Sequence, residues 1–326
     1  MRRSLAIGLT VVAVLAAACS SSPRTEAGLG LSAKPPATTS TTAPAAPATS
    51  AAATACSDAN ATASLRPSGP LPTPGNMPAG TFMKTIQDRG RLVVGVDQNT
   101  FLMGFVDPST GTFQGFDIDM LRQVAQAIFG NPDAIQYKAI SSAQRIPEVQ
   151  SGDVDIVART MTITCARRQQ VDFSTEYYHA GQKVLVQSDS TATGLNDLGG
   201  KKVCAVAGST SIDTIKAAPS HPIPVTVTDW TDCLVDLQQQ KVAAISTDDT
   251  ILAGLAKQDP TVKVVGSDIT AEPYGMAINQ SHPEFVQFVN GVLDQMRADG
   301  KWTQIYNSWL GGLGPAPAPP PAVYQS

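Results

Sequence analysis

Arg167 closes the run Thr160-Met161-Thr162-Ile163-Thr164-Cys165-Ala166 and reads as part of the first turn of a helix. A guanidinium can hold a carboxylate through two parallel N–H bonds. The Thr162 hydroxyl and the backbone N–H groups beside it can add donors. A cation is poorly placed at a helix start, where the macrodipole is positive, so Arg167 asks for a reason to be there, with Arg168 as second choice. Gly208-Ser209-Thr210-Ser211 follows an apolar run at 202–207 and opens a helical pattern at 211–218. Free first-turn N–H groups and the helix dipole make an anion site. Thr210 leads there and Ser211 comes next, although either can simply cap the helix. Thr247-Asp248-Asp249 follows a short strand at 243–246. A carboxylate at a strand end facing a crevice can take an ammonium, and with two in a row one can bind while the other caps. Asp97 stands at the end of the first strand, just before Gln98 and Asn99.

The elements that must position these residues alternate. A helix that Gly90 can cap precedes a strand at 91–96. Apolar residues at 116, 118, 121, 124, 125 and 128 have helical spacing, and Gly130 and Pro132 end that helix. Strands at 134–140 and 154–157 and helices at 147–150 and 165–170 follow, then a strand at 182–187. The pattern continues with strands 202–207, 223–227, 243–246 and 262–265 and helices 211–218, 231–240 and 249–258. A strand at 272–279, an amphipathic helix at 283–298 and a last helix at 302–310 complete it. Alternation of this kind predicts parallel sheets with helices on both faces. So many strands are more economical as two α/β lobes than as one sheet, and ligands bind at the carboxyl ends of such strands.

Several function classes fall away. Net charge is −4, with 23 basic and 27 acidic residues, so there is no basic face for nucleic acid. His179, His221 and His282 are scattered without metal-ligand spacing, so no metal site is expected. No G-x-S-x-G, H-E-x-x-H or G-x-G-x-x-G motif stands in a suitable place. GLNDLGGKK at 194–202 has the wrong spacing for a P-loop and precedes a strand. No cofactor is expected.

The N-terminus points to export. Arg2 and Arg3 precede an uncharged apolar run from Leu5 to Ala18, the pattern of a signal peptide over 1–18. Leu15-Ala16-Ala17-Ala18-Cys19 resembles a bacterial lipobox, with Cys19 as the lipidated residue. The alternative is plain cleavage after Ala18. Residues 19–74 are rich in Ala, Pro, Thr and Ser and read as a flexible stalk, and 312–326 as a Pro-rich tail. Apart from Cys19 four cysteines remain, Cys56, Cys165, Cys204 and Cys233, which suits disulfides in an exported chain and allows three pairings.

Five segments in order resemble the bacterial extracellular solute-binding proteins of family 3. They are Gly95-Val96-Asp97 with Gly115-Phe116-Asp117-Ile118-Asp119; Gly152-Asp153-Val154-Asp155 leading to Thr160–Arg167; Val171-Asp172-Phe173-Ser174 with Tyr177-Tyr178; Asp197-Leu198 before KKVCAVAGST; and Pro273-Tyr274-Gly275-Met276-Ala277-Ile278. The cysteines and stalk look most like actinobacterial lipoproteins of the family. The resemblance implies a two-lobed, periplasmic-binding-protein-like fold of type II: two three-layer α/β lobes joined by a two-strand hinge. Lobe 1 would hold 80–183 and, on its return, 273–311; lobe 2 would hold 184–272. The hinge strands would lie near 181–187 and 270–275.

The resemblance also implies a free amino acid as ligand. A zwitterion must find fixed donors and acceptors in a closed site, because unpaired buried charge is costly. Thr162 and Arg167, with Thr160 in the same unit, and then Thr210 and Ser211 would hold the α-carboxylate. Asp248, or Asp249 one register away, would take the ammonium. Phe101 matches an aromatic that packs on the ligand, or else belongs to the lobe core; Asp97 could touch the ligand. Arg145, in an Arg-Ile-Pro unit, would pair with a side-chain carboxylate unless it is a salt-bridged surface residue, and Arg159 is a further cation. This favours glutamate or aspartate, then asparagine or glutamine. A disulfide across the cleft would hinder closure, so the lobes imply Cys204–Cys233 and Cys56–Cys165. The expected protein is a monomeric, membrane-anchored receptor serving an ABC permease. Alternatives are an amino-acid sensor acting through a membrane protein and a dehydratase-like enzyme on the same scaffold.

Overall fold

The computed structural model describes residues 56–57 and 60–325. The expected signal peptide, Cys19 and the stalk up to residue 55 lie outside the described residues. The chain enters through α1 (Phe82–Arg89), which starts where the Thr81 hydroxyl accepts from the Lys84 N–H and stops at Gly90. β1 (Leu92–Val96) leads into a small antiparallel sheet of β2 (Asn99–Thr100), β3 (Gly104–Val106) and β4 (Phe113–Gln114). Strands of two or three residues have no readable period, and this sheet was not expected. α2 (Phe116–Phe129) buries all six of the apolar positions that mark it. β5 (Ile135–Ala139), α3 (Arg145–Ser151), β6 (Ile156–Val157), α4 (Cys165–Arg168) and β7 (Asp172–Phe173) complete the first pass through lobe 1.

β8 (Tyr178–Gln187) then carries the chain across. Lobe 2 is β9 (Lys202–Val206), α5 (Thr210–Ala217), β10 (Ile223–Val227), α6 (Trp230–Gln238), β11 (Ala244–Asp248), α7 (Asp249–Gln258) and β12 (Val262–Val265). The chain returns through β13 (Ala271–Tyr274) and β14 (Ala277–Ile278) to α8 (Pro283–Asp299) and α9 (Lys301–Trp309). The lobe 1 sheet has the order β5-β1-β6-β14-β7, and the lobe 2 sheet β10-β9-β11-β8-β12.

Strand periodicity explains the layering of lobe 1. Leu92, Val94 and Val96 enter one core with α2, α8 and α9, whereas Val93 faces a second with Val149 of α3. Ile156 and Val157 divide in the same way, as do Ile278 and Ala277. Successive side chains point to opposite faces, so this sheet is covered on both. Lobe 2 has a separate core built on Val184–Val186, Val203–Val206 and Ile245.

The crossing is made by two strands. The first half of β8, Tyr178–Gly181, pairs antiparallel with β13, and Val184–Gln187 pairs with β12. The expected lobe boundary at 183/184 therefore falls inside one unbroken strand. The expected strand at 272–279 is instead two strands, broken at Gly275, where an added Cβ would lie 2.6 Å from Ile163.

Two further differences concern the chain ends. The expected stalk ran to residue 74 and the tail from 312, yet residues from Ser64 to Pro74 and from Pro320 to Gln325 lie on lobe 1. Ser64 bridges Tyr324 in parallel, and its hydroxyl donates to Phe173 O at 2.6 Å. Buried Asn290 of α8 donates to Ser64 Oγ and Leu65 O, and Arg66 lies over the Tyr324 ring. Mean composition hides such anchoring, which depends on single residues meeting partners on α8.

Both disulfides, Cys56–Cys165 and Cys204–Cys233, are formed. The second ties β9 to α6 inside the lobe 2 core and closes a separation of 29 residues. By loop-closure entropy it contributes about 3–4 kcal/mol. Replacing both cysteines with alanine is expected to lower the unfolding free energy by about that amount in denaturant titrations; a loss below about 1 kcal/mol would contradict the estimate.

Candidate functional site

The two lobes meet tightly over a cavity of about 10 Å³, space for about one water. Lobe 1 contributes Ser142, Arg145, Thr160, Thr162 and Arg167. Lobe 2 contributes Ser209, Thr210, Ser211, Trp230, Thr247, Asp248 and Ile251. Seven residues expected to bind therefore converge: Arg145, Thr160, Thr162, Arg167, Thr210, Ser211 and Asp248. A larger open groove on lobe 2, near 193–197 and 266–270, lacks such convergence, and its Thr193 and Asp197 already bond each other.

The lobes touch through their backbones here. Gly208 adopts φ +81°, and a Cβ on it would lie 2.8 Å from Ala143 of lobe 1. Its carbonyl accepts from Arg145 Nη2 at 3.2 Å and from Arg167 Nη2 at 3.1 Å. Arg167 also donates to Thr162 O at 2.7 Å. Arg168 turns away, to Ala61 O. Among the described residues neither Arg145 nor Arg167 forms a salt bridge, whereas buried Arg159 pairs with Asp97 at 2.7 Å. Burial, then the charges of Arg167 and Arg159, push Arg145 well below the usual arginine range.

Thr160 is a β-branched residue held at φ 41°. Such strain collects at functional positions. The Thr160 N–H donates to Asp117 Oδ2 and its carbonyl accepts from Arg145. Buried Asp117 is itself fixed by the Tyr177 hydroxyl, and burial lifts its carboxyl to about 6.

On lobe 2, Thr210 and Ser211 open α5, and Ser209, the N-cap, makes no side-chain capping bond. The first-turn N–H groups thus face the cavity end of the helix without a cap. Asp248 is the N-cap residue of α7, yet its side chain caps nothing. Oδ2 accepts from the Tyr274 hydroxyl at 2.6 Å, while Oδ1 is buried without a partner. Burial, followed by the nearby Glu272, pushes its carboxyl up to about 7. Asp249 does not line the cavity and accepts from the Thr250 N–H instead. Of the two carboxylates, Asp248 is the one that lines the cavity.

Three expected residues are elsewhere. Phe101 packs edge-on against Phe105, and its carbonyl faces Gly254 of α7 across the seam. Asp97 is committed to Arg159, Thr100 and the Asn99 N–H. Asp249 is the third. Reasoning from sequence also missed three participants, Glu272, Tyr274 and Trp230. Buried Glu272, in the returning hinge strand, accepts from Thr162 Oγ1 at 2.6 Å and Thr210 Oγ1 at 2.8 Å. Each hydroxyl has one proton, so the two threonines expected to face a ligand give theirs to Glu272 in this structure.

Residues 92–312 match the model of the bacterial extracellular solute-binding proteins, family 3. The chain is 36% identical over 229 residues to the ABC transporter glutamine-binding protein GlnH of Bacillus subtilis (strain 168), covering 70% of this chain and 84% of that protein. It is 29% identical over 253 residues to the glutamate-binding protein GluB of Corynebacterium efficiens, covering 73% and 84%. Among solved structures, an ancestral arginine-binding protein bound to glutamine is 34% identical with a TM-score of 0.64, covering 68% of this chain and 99% of that one.

Proposed function

The chain belongs to family 3 of the bacterial extracellular solute-binding proteins, and from that premise we propose that it captures a polar amino acid between its lobes and delivers it to an ABC permease. The observation that carries this is Asp248 Oδ1, a buried acceptor without a donor. It lines the same cavity as two guanidiniums that have no carboxylate. A zwitterion supplies both missing partners. Its ammonium meets Asp248 and its carboxylate meets Arg167 and the α5 N-terminus. The lipid anchor at Cys19 and the tether up to residue 55 belong to the same proposal. Asp248 and Arg167 are thus used in binding, and the protein is read as a receptor and not as an enzyme.

The side chain is the finer question. A cation at Arg145 favours glutamate or aspartate in principle. Arg145, however, already donates to Ser142 O, Arg159 O, Thr160 O and Gly208 O. Four of its five N–H groups are occupied. The site also balances two guanidiniums against the carboxyl groups of Asp248 and Glu272. A third ligand charge would be buried without a counterpart, which is costly. The ligand is therefore read as glutamine first, with glutamate next; relatives named for each support both.

Thermal unfolding tests this, because a ligand that binds only the folded state raises the melting temperature. Glutamine is expected to give the largest shift, followed by glutamate and asparagine, with arginine giving none. A well-folded sample that no amino acid stabilises would overturn the receptor proposal. A larger shift with glutamate than with glutamine would overturn the charge argument alone.

A further inference from the structure

We propose that Trp230 is the residue that reads the ligand's side chain, through an indole N–H that accepts only ligands carrying an oxygen acceptor there. The inference rests on the amino-acid reading above and extends it to the class of side chain. Trp230 is 2% exposed, lines the cavity, and its Nε1 has no hydrogen-bond partner. The protein's other two tryptophans do have partners: Trp302 Nε1 donates to Tyr177 O at 2.7 Å and Trp309 Nε1 to Asp119 Oδ2 at 2.6 Å. Buried N–H groups in folded proteins are nearly always paired. One left unpaired at the wall of a binding cavity points to a partner that arrives from outside.

The placement is rigid. Trp230 is the first residue of α6, where Asp229 and Asp232 form a reciprocal capping box. Its ring packs in the lobe 2 core. Indole is a donor and never an acceptor. Across the cavity Arg145 also offers only donors, one of them unused. Both residues line the same cavity, and a ligand oxygen, from an amide or a carboxylate, is the group that can accept from them. A lysine or arginine side chain would set donor against donor, so such ligands are rejected by the unpaired groups they would bury. The same pair explains how one site can serve glutamine and glutamate with a modest preference, because both present an oxygen.

The test uses 15N-indole-labelled protein, which has three side-chain signals, one for each tryptophan. The signal absent from Trp230→Phe identifies Trp230. On saturation with glutamine that signal is expected to move downfield, with the other two almost unmoved. By calorimetry, Trp230→Phe is expected to weaken glutamine between about fivefold and a hundredfold. Alanine, measured by competition, should bind the variant and the parent alike. A ring that serves only to shape the lobe would weaken alanine and glutamine equally, and that result overturns the proposal. So does glutamine binding that leaves the Trp230 signal in place. If no amino acid binds the parent protein, the receptor reading fails and takes this inference with it. If glutamine binds the parent and depends on Arg167 but not on Trp230, only this inference fails.

Discussion

Arg167→Ala is expected to abolish measurable amino-acid binding while the protein remains folded. Arg167 sits on a helix of four residues, α4, is only partly buried, and makes two hydrogen bonds to backbone carbonyls. No carboxylate of the described residues pairs with it, so the fold loses little when it goes. A bound carboxylate loses one of the two guanidiniums that lobe 1 brings to the cavity, and Arg145 already spends four of its five N–H groups on backbone carbonyls. Removing one partner of a buried, hydrogen-bonded charge pair costs about 3–5 kcal/mol, which is roughly a hundredfold to a few thousandfold in affinity. Titration calorimetry with glutamine reads the loss, and circular dichroism confirms the fold. Arg168→Ala is the matched control: its guanidinium reaches Ala61 O, away from the cavity, so its affinity should stay within about twofold of the parent, less than 0.5 kcal/mol. Arg167→Ala binding within tenfold of the parent would remove Arg167 from the site.

The local signals in the sequence carried much of this site. The threonine-rich run before Arg167 and the Gly-Ser-Thr-Ser turn each lie on a few consecutive residues, and each residue type declares its chemistry. α2 was equally legible, because its six apolar positions all face one core. Asp248 and Asp249 could not be separated, since both residue types suit a helix cap; only the direction of the side chain decides, and that follows from the β11–β8 register that sets Asp248 opposite Gln182. As site residues, Glu272, Tyr274 and Trp230 gave no local signal, although Tyr274 stands in one of the segments that carry the family resemblance. Glu272 and Tyr274 matter because β13 pairs with β8, bringing residue 272 against Thr162 and Thr210 from 110 and 62 positions away. Trp230 reads as an ordinary core aromatic, and it is one; what sets it apart is a missing partner, which no pattern of residues can show. The chain ends escaped for the opposite reason. A Pro- and Ala-rich composition correctly describes a segment without a core of its own, but Ser64 and Tyr324 borrow one from α8.

Amino-acid affinity is expected to fall by about tenfold for each pH unit below roughly 6.5, and to level off above about pH 7.5. The cause is Asp248. Without ligand, burial and the neighbouring Glu272 raise its carboxyl to about 7, from a value near 3.8 in the unfolded chain. Between those values the folded protein binds a proton that the unfolded chain does not. Asp248 therefore makes the unliganded protein less stable as pH rises through this window, with the penalty complete above about 7. An ammonium beside Oδ1 favours the ionised carboxylate and relieves that penalty. Ligand binding below pH 7 must then expel the proton, which weakens it, and the ligand-induced rise in melting temperature grows from pH 5 to 7.5. Asp117, lifted to about 6, lies behind Thr160 and holds its backbone N–H, so it could add a shallower dependence of its own. Asp248→Asn separates the two. The amide cannot ionise and cannot pair with the ammonium, so affinity at pH 7.5 should drop by about a hundredfold or more, the cost of leaving one buried charge unpaired. The steep dependence below pH 7 should vanish with it. Proton release measured by calorimetry in buffers of different ionisation enthalpy gives the independent count: close to one proton per ligand at pH 5.5 in the parent, and almost none in Asp248→Asn. A parent protein whose affinity is flat from pH 5 to 7.5 would mean either that Asp248 is ionised before the ligand arrives or that another group holds the ammonium, and the affinity of Asp248→Asn at pH 7.5 tells the two apart.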